Sequence, residues 1–137
     1  MANSVCEVSV TQLPLQLPPE VDNAAVGAIV DFWGLVRALE GDREITGIEY
    51  EAHVPMAEHQ MHSLAETALG EYGLTKVTIH HRIGFVPVAE ASIVVRVQSA
   101  RRADAFTANQ WIMDELKRTV PIWKNPVFKE GASSSRA

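Results

Sequence analysis

Apolar and polar positions along this chain alternate with two different periods, and the changes of period mark the elements. Cys6, Val8 and Val10 alternate with Glu7, Ser9 and Thr11, the period of two expected of a half-buried strand. Residues 13–20 hold three prolines and predict an extended, irregular connection. Val26, Ala28, Val30 and Phe32 alternate again until Gly34; Leu35-Val36-Arg37 follows, and 39–43 (LEGDR) reads as a turn. Ile48, Tyr50 and Ala52 alternate with Glu49 and Glu51, predicting a strand with one acidic face. From Pro55 the period lengthens. Ala57, Met61, Leu64, Ala65, Ala68 and Leu69 form one continuous stripe of a helix, which Gly70 and Gly73 are expected to stop.

The second half repeats the scheme. Val77, Ile79, His81 and Ile83 alternate with Lys76, Thr78, His80 and Arg82, and Gly84 with Pro87 predicts a corner. Ala91, Ile93, Val95 and Val97 make the next strand, with Val94 indicating partial cover of its other face. Ala105, Phe106, Asn109, Ile112, Met113 and Leu116 stripe a second helix over roughly 103–118, which Pro121 ends. Val120, Ile122 and Trp123 close with a short strand. The order β, β, β, α, β, β, α, β predicts an α+β fold, mostly antiparallel, with two main helices packed on sheet. Trp111 lies off its helix stripe, which fits either a homodimer contact or local cover by a neighbouring loop.

Composition narrows the class. At 137 residues and 47% hydrophobic, the chain suits one globular domain, expected over 1–130, with 131–137 (GASSSRA) as a disordered tail. At this length folding buries roughly two thirds of the surface of the unfolded chain, enough for a core without staples. No run reaches the ~18–20 apolar residues of a membrane helix, and the N-terminus lacks a signal-peptide pattern. A cytoplasmic location without membrane contact is the expectation. The lone cysteine, Cys6, excludes a disulfide framework and a cysteine-built zinc site, and reads as a core residue.

Charge changes the picture more. Of the net -5, residues 101–129 hold six cations against three acids, while the rest of the chain is acidic. An acidic protein is a poor nucleic-acid binder. A local cationic cluster fits either a pocket for one small anion or an ordinary solvated face.

No phosphate-binding glycine loop and no G-x-S-x-G is present. His59, His62 and Glu66 share one helix face that has the spacing to hold a metal, but no further ligand pattern accompanies them. His81 reads as a satisfied core residue, and His80 as its outward neighbour. What remains is cationic: Arg37 after a strand end, Arg101-Arg102 before a helix, Lys117 in that helix's last turn, and Lys124 beyond it. A lysine held among other cations gives up its proton more easily, which makes it usable as a base or nucleophile.

Six segments carry a resemblance. They are G-A-I-V-D-F-W-G-L-V-R (27–37), I-E-Y-E-A-H (48–53), H-R-I-G (81–84), E-A-S-I-V-V-R-V (90–97), A-R-R-A-D-A-F (100–106) and D-E-L-K-R-T-V-P-I-W-K (114–124). In this order they resemble the MoaE family, the large, catalytic subunits of molybdopterin synthase, over about residues 26–124. The L-K-x-x-x-P-x-W-K segment is the specific one.

The resemblance implies an α/β-hammerhead type fold and a homodimer within a heterotetramer that includes two small ubiquitin-like subunits. It implies sulfur transfer from the small subunit's thiocarboxylated C-terminus to cyclic pyranopterin monophosphate, giving the molybdopterin dithiolene of molybdenum cofactor biosynthesis. No metal or other cofactor is implied. Lys117 and Lys124 match the family's active-site lysines; Arg37 and Arg102 match pocket arginines, in a pocket that both dimer halves build. Lys117 is expected to meet the thiocarboxylate carbonyl, and Lys124 to orient substrate. Leu35, Val36, Asn125 and Pro126 flank these positions as candidate backbone contacts.

Two departures stand out. Arg101 replaces a histidine of the family, and it binds phosphate but is a poor acid or base. Asn125-Pro126-Val127 replaces a basic residue and a glutamate. Arg101 favours the alternative of a homologue that binds the small subunit or a pterin phosphate without turnover.

Overall fold

The computed structural model describes residues 5–18 and 23–129. The expected tail at 131–137 and the end of the proline-rich connection lie outside these residues. The elements run β1 (Cys6–Thr11), β2 (Ala28–Leu35), β3 (Leu39–Glu40), β4 (Arg43–Ala52), α1 (Val54–Tyr72), β5 (Lys76–Arg82), β6 (Gly84–Pro87), β7 (Ala91–Ser99), α2 (Arg102–Thr119) and β8 (Ile122–Phe128).

Two sheets result. The first has strand order β1-β5-β7-β2, and the second groups β3, β6 and β8 around β4. Of these pairings only β1 with β5 is parallel, so the α+β, mostly antiparallel expectation holds. Both helices cover the first sheet. Met61, Ala65 and Ala68 of α1 and Ala105, Ala108, Ile112 and Leu116 of α2 pack on Val77, Ile79, Val95 and Val97. Burying each large aliphatic side chain here stabilises the fold by about 1.5–3 kcal/mol. Asn109 bridges the layers, its amide donating to the Val30 and Val95 carbonyls at 3.1 and 3.0 Å. A smaller core of Val36, Ile45, Ile48 and Val86 fills the second sheet.

The structure departs from the sequence pattern at three places. Gly70 does not stop α1. The helix continues to Tyr72, which packs on Trp111 with ring centroids 6.3 Å apart, and the end falls at Gly73 with φ 63°. That left-handed backbone suits glycine. The same contact gives Trp111 partial cover from α1 within the chain. The corner at Gly84–Pro87 is itself a strand. Gly84, at φ 83°, swings the chain out of the first sheet, and β6 then pairs β4 with Val86 fully buried. The closing strand runs on to Phe128, because β4 offers it a partner along its whole length. The 39–43 turn forms as expected, between β3 and β4.

On the outer face of the first sheet, Arg96 makes a two-pronged ion pair with Asp31 at 2.7 and 2.8 Å. Its third nitrogen donates to the Pro18 carbonyl, tying the proline-rich connection across the sheet.

Candidate active site

The two sheets and α2 leave a cavity of about 530 Å³ where they meet. Its walls come from distant stretches of chain: Phe32 to Leu35 at the end of β2, Tyr50 of β4, His81 of β5, Ser92 and Ile93 of β7, and the last turns of α2. Gly34 is required by close approach. A Cβ there would stand 2.7 Å from the Ile93 side chain, and the adjoining β-bulge turns Leu35 outward to 57% exposure.

Three cations reach this cavity from three elements: Arg37 after β2, Lys117 in the last turn of α2, and Lys124 on β8 opposite Tyr50. No carboxylate lines it, and none of the three forms an ion pair among the described residues. The neighbouring Arg118 is instead paired with Glu115 at 2.6 Å. Within an acidic chain, this pocket is shaped for an anion. Phe32, Trp33 and Tyr50 add aromatic side chains to its lining.

The other expected site residues are placed differently. Arg101 is the N-cap of α2 and Arg102 its first residue, both exposed. At about 1.5 Å per residue, Arg102 stands roughly 22 Å along the helix from Lys117, so the two ends of α2 do not meet in one chain. Leu35 lines the cavity. Val36 does not, and it is a correction to the expected backbone contact. It is 3% exposed, its N–H donates to the Glu90 carbonyl and its carbonyl accepts from Ala89. Asn125 points to the opposite face of β8 from Lys124, and Pro126 pairs with Ile48; neither lines the cavity.

His81 is the residue that sequence reasoning passed over. It is a core histidine with Nδ1 hydrogen-bonded, as expected, but it also forms part of the cavity wall. Burial, partly offset by its backbone hydrogen bond, holds its pKa below the usual histidine value. His80, also lowered by burial, lies on the outer face, bonded to Ser9 at 2.6 Å. Burial and, less, the charge of Glu66 push the Cys6 thiol up, away from nucleophilic chemistry. On α1, His62 pairs with Glu66 at 3.7 Å, and no group of three or more metal-ligating side chains forms among the described residues.

Residues 10–119 match the sequence model of the MoaE protein family. The chain belongs to the MoaE family. It is 38% identical, over 98% of both chains, to a Thermoplasma volcanium protein named molybdopterin synthase catalytic subunit. Mammalian and plant relatives of that name are longer, and the chain spans 53% to 58% of their length. Among solved structures it resembles molybdopterin synthase from Staphylococcus aureus, with a TM-score of 0.82 and 30% identity over 95% of this chain and 96% of that one. The fold also matches a chain in a complex of subunits 1 and 2 of the molybdopterin-converting factor from Helicobacter pylori. There the TM-score is 0.66, with 17% identity over 93% of this chain and 92% of that one. No helix among the described residues of this MoaE-family chain is long and apolar enough to cross a membrane.

Proposed function

We propose that this cavity transfers sulfur from the thiocarboxylated C-terminus of a small ubiquitin-like partner to cyclic pyranopterin monophosphate, making the molybdopterin dithiolene. One observation carries the reading: Arg37, Lys117 and Lys124 converge on a carboxylate-free cavity with an aromatic wall. Both reactants are anions, and a pterin is flat. The naming of the relatives as molybdopterin synthase catalytic subunits points the same way.

Lys117 meets the thiocarboxylate carbonyl, where its charge stabilises the oxygen as negative charge develops, and it assists proton transfer. Lys124 and Arg37 orient the phosphate-bearing substrate. Leu35, exposed at the rim, guides the incoming tail. Arg101 and Arg102, too far along α2 to serve their own chain's cavity, reach the cavity of a second copy in a homodimer. Each homodimer binds two small partners.

The test mixes the purified protein with the thiocarboxylated partner and cyclic pyranopterin monophosphate, and follows the gain of two sulfurs by mass spectrometry. Product from the wild type and little from Lys117→Ala is the expected result. A stable complex without product would mark a binding-only homologue and make Arg101→His the next variant to measure. Mixing Lys117→Ala chains with Arg102→Ala chains tests the shared pocket, because mixed dimers regain one intact site and with it activity.

A further inference from the structure

We propose that His81 is the proton acceptor that activates the water which releases sulfur from the partner's tail. The inference rests on the sulfur-transfer reading and deepens it. A thiocarboxylate that gives up its sulfur must end as a carboxylate, so its acyl carbon takes an oxygen from water. With the sulfur bonded to the pterin carbon, the water oxygen forms a C–O bond to the acyl carbon. The acyl C–S bond breaks, and its electron pair stays on sulfur as the pterin thiolate. One water proton passes to His81, and the other is lost as the tail carboxyl ionises. No oxidant or reductant is needed, but a base is.

His81 is built for that role. Its Nδ1 lies 2.8 Å from the Arg82 carbonyl oxygen, which only accepts, so Nδ1 carries the proton and Nε2 of the neutral ring is a bare acceptor. Nε2 has no hydrogen-bond partner among the described residues, and the residue lines the cavity. Tyr50 holds the ring edge-on, with centroids 5.2 Å apart and planes at 71°. The tautomer and the ring plane are thereby set before any substrate arrives.

The charged groups that share the cavity with the ring are Arg37, Lys117 on α2 and Lys124 on β8; Tyr50 on β4 is the other titratable one. On β7 its register partner is Ile93 and on β1 it is Val10, whose N–H holds the Glu58 carboxylate of α1 at 3.1 Å. Burial, partly offset by the hydrogen bond to Arg82, favours the neutral ring, which is the form that can accept a proton. His81 is the one imidazole in the wall, and the proton-accepting role falls to it.

The experiment is a single turnover of the wild type, His81→Asn and His81→Ala with the thiocarboxylated partner and cyclic pyranopterin monophosphate. Asparagine keeps an N–H near the Nδ1 position for the Arg82 carbonyl and removes Nε2. The expected result is a loss of about 10²- to 10⁴-fold in tail-carboxylate formation. In the mass spectrum, partner and pterin joined through sulfur should accumulate. The acid limb of the wild-type pH profile, below the ordinary histidine range, should vanish in His81→Asn, and added imidazole should restore part of the His81→Ala rate. A wild-type rate and unchanged pH profile in His81→Asn would overturn the assignment while leaving the sulfur-transfer reading intact. So would loss in both variants without the joined species and without imidazole rescue, which would mark a packing role. A wild type that forms no product removes the sulfur-transfer reading and this inference with it, and is seen before any variant is measured.

Discussion

β7 and β8 are both strands near the cavity, and they are built in opposite ways. β7 lies inside the first sheet between β5 and β2, and all of its residues after Ala91 are buried. β8 lies at the edge of the second sheet, and none of its residues is fully buried, with Trp123 at 56% exposure. The first sheet carries the stability, with two helices on one face and the Asp31–Arg96 pair on the other. The second supplies a thin, half-open wall where Lys124 stands without a carboxylate partner among the described residues. Chemistry that needs unpaired cations and solvent access is placed where the core is smallest, because a sealed core would charge several kcal/mol for each of them.

If that division is right, substitutions in the two regions separate activity from stability. The largest effect is expected at the junction. Lys117→Ala should lower product formation by about 10³-fold, within the usual range for a lost acid/base or charge-stabilising group. Lys117 is exposed, so the melting temperature should move little, about 0.5 kcal/mol or less in stability. Kinetics and thermal melts on the same preparation check both halves.

In the first sheet the order reverses. Ile112 is fully buried between α2 and the sheet, and Ile112→Ala should cost about 2–5 kcal/mol in denaturant unfolding with activity per folded molecule close to wild type. Asp31→Asn leaves the buried Arg96 charge without its carboxylate and should cost about 2–3 kcal/mol. That is less than for a sealed pair, because Asp31 keeps 24% of its side chain exposed. Gly34→Ala sits on the boundary. Its new methyl meets Ile93, so about 1–3 kcal/mol of overpacking should come with a narrowed cavity and a raised KM for the pterin. An unchanged KM would place the substrate away from the β2 bulge.

The smallest effect is a pH dependence. Burial lowers the pKa values of His80 and His81 in the fold, so the unfolded chain binds more protons between the folded and unfolded values. Stability from these groups is full above the unfolded value of about 6.5 and is lost as the pH falls through the folded values. Melting curves from about pH 7.5 down to 5 should show this decline, shallower in His81→Asn.

Local chemistry made much of the molecule legible. Period-two alternation located the long strands and the 3.6-residue stripes located both helices, because each depends only on which positions face a core. Gly73 was readable as a stop, and Gly70 misled. Its place where a Cβ would meet open space, and the Tyr72–Trp111 contact beyond it, are tertiary facts. The motif over 116–124, by its resemblance to the family, singles out Lys117 and Lys124, and both line the cavity.

By itself the sequence determined the types of the long elements, the α+β class, the acidic body with its cationic end and the family. Each follows from short-range periodicity, from composition or from a contiguous motif. The tertiary structure alone decided which cations meet. Arg37, Lys117 and Lys124 converge through strand pairing and helix packing, while Arg101 and Arg102 remain at the far end of α2 and Val36 spends its backbone on Glu90 and Ala89. It also decided that β6 changes sheets and that His81, apolar-facing by its alternation, lines the cavity. Those outcomes depend on where residues tens of positions apart are brought by the fold, and no local pattern encodes that distance.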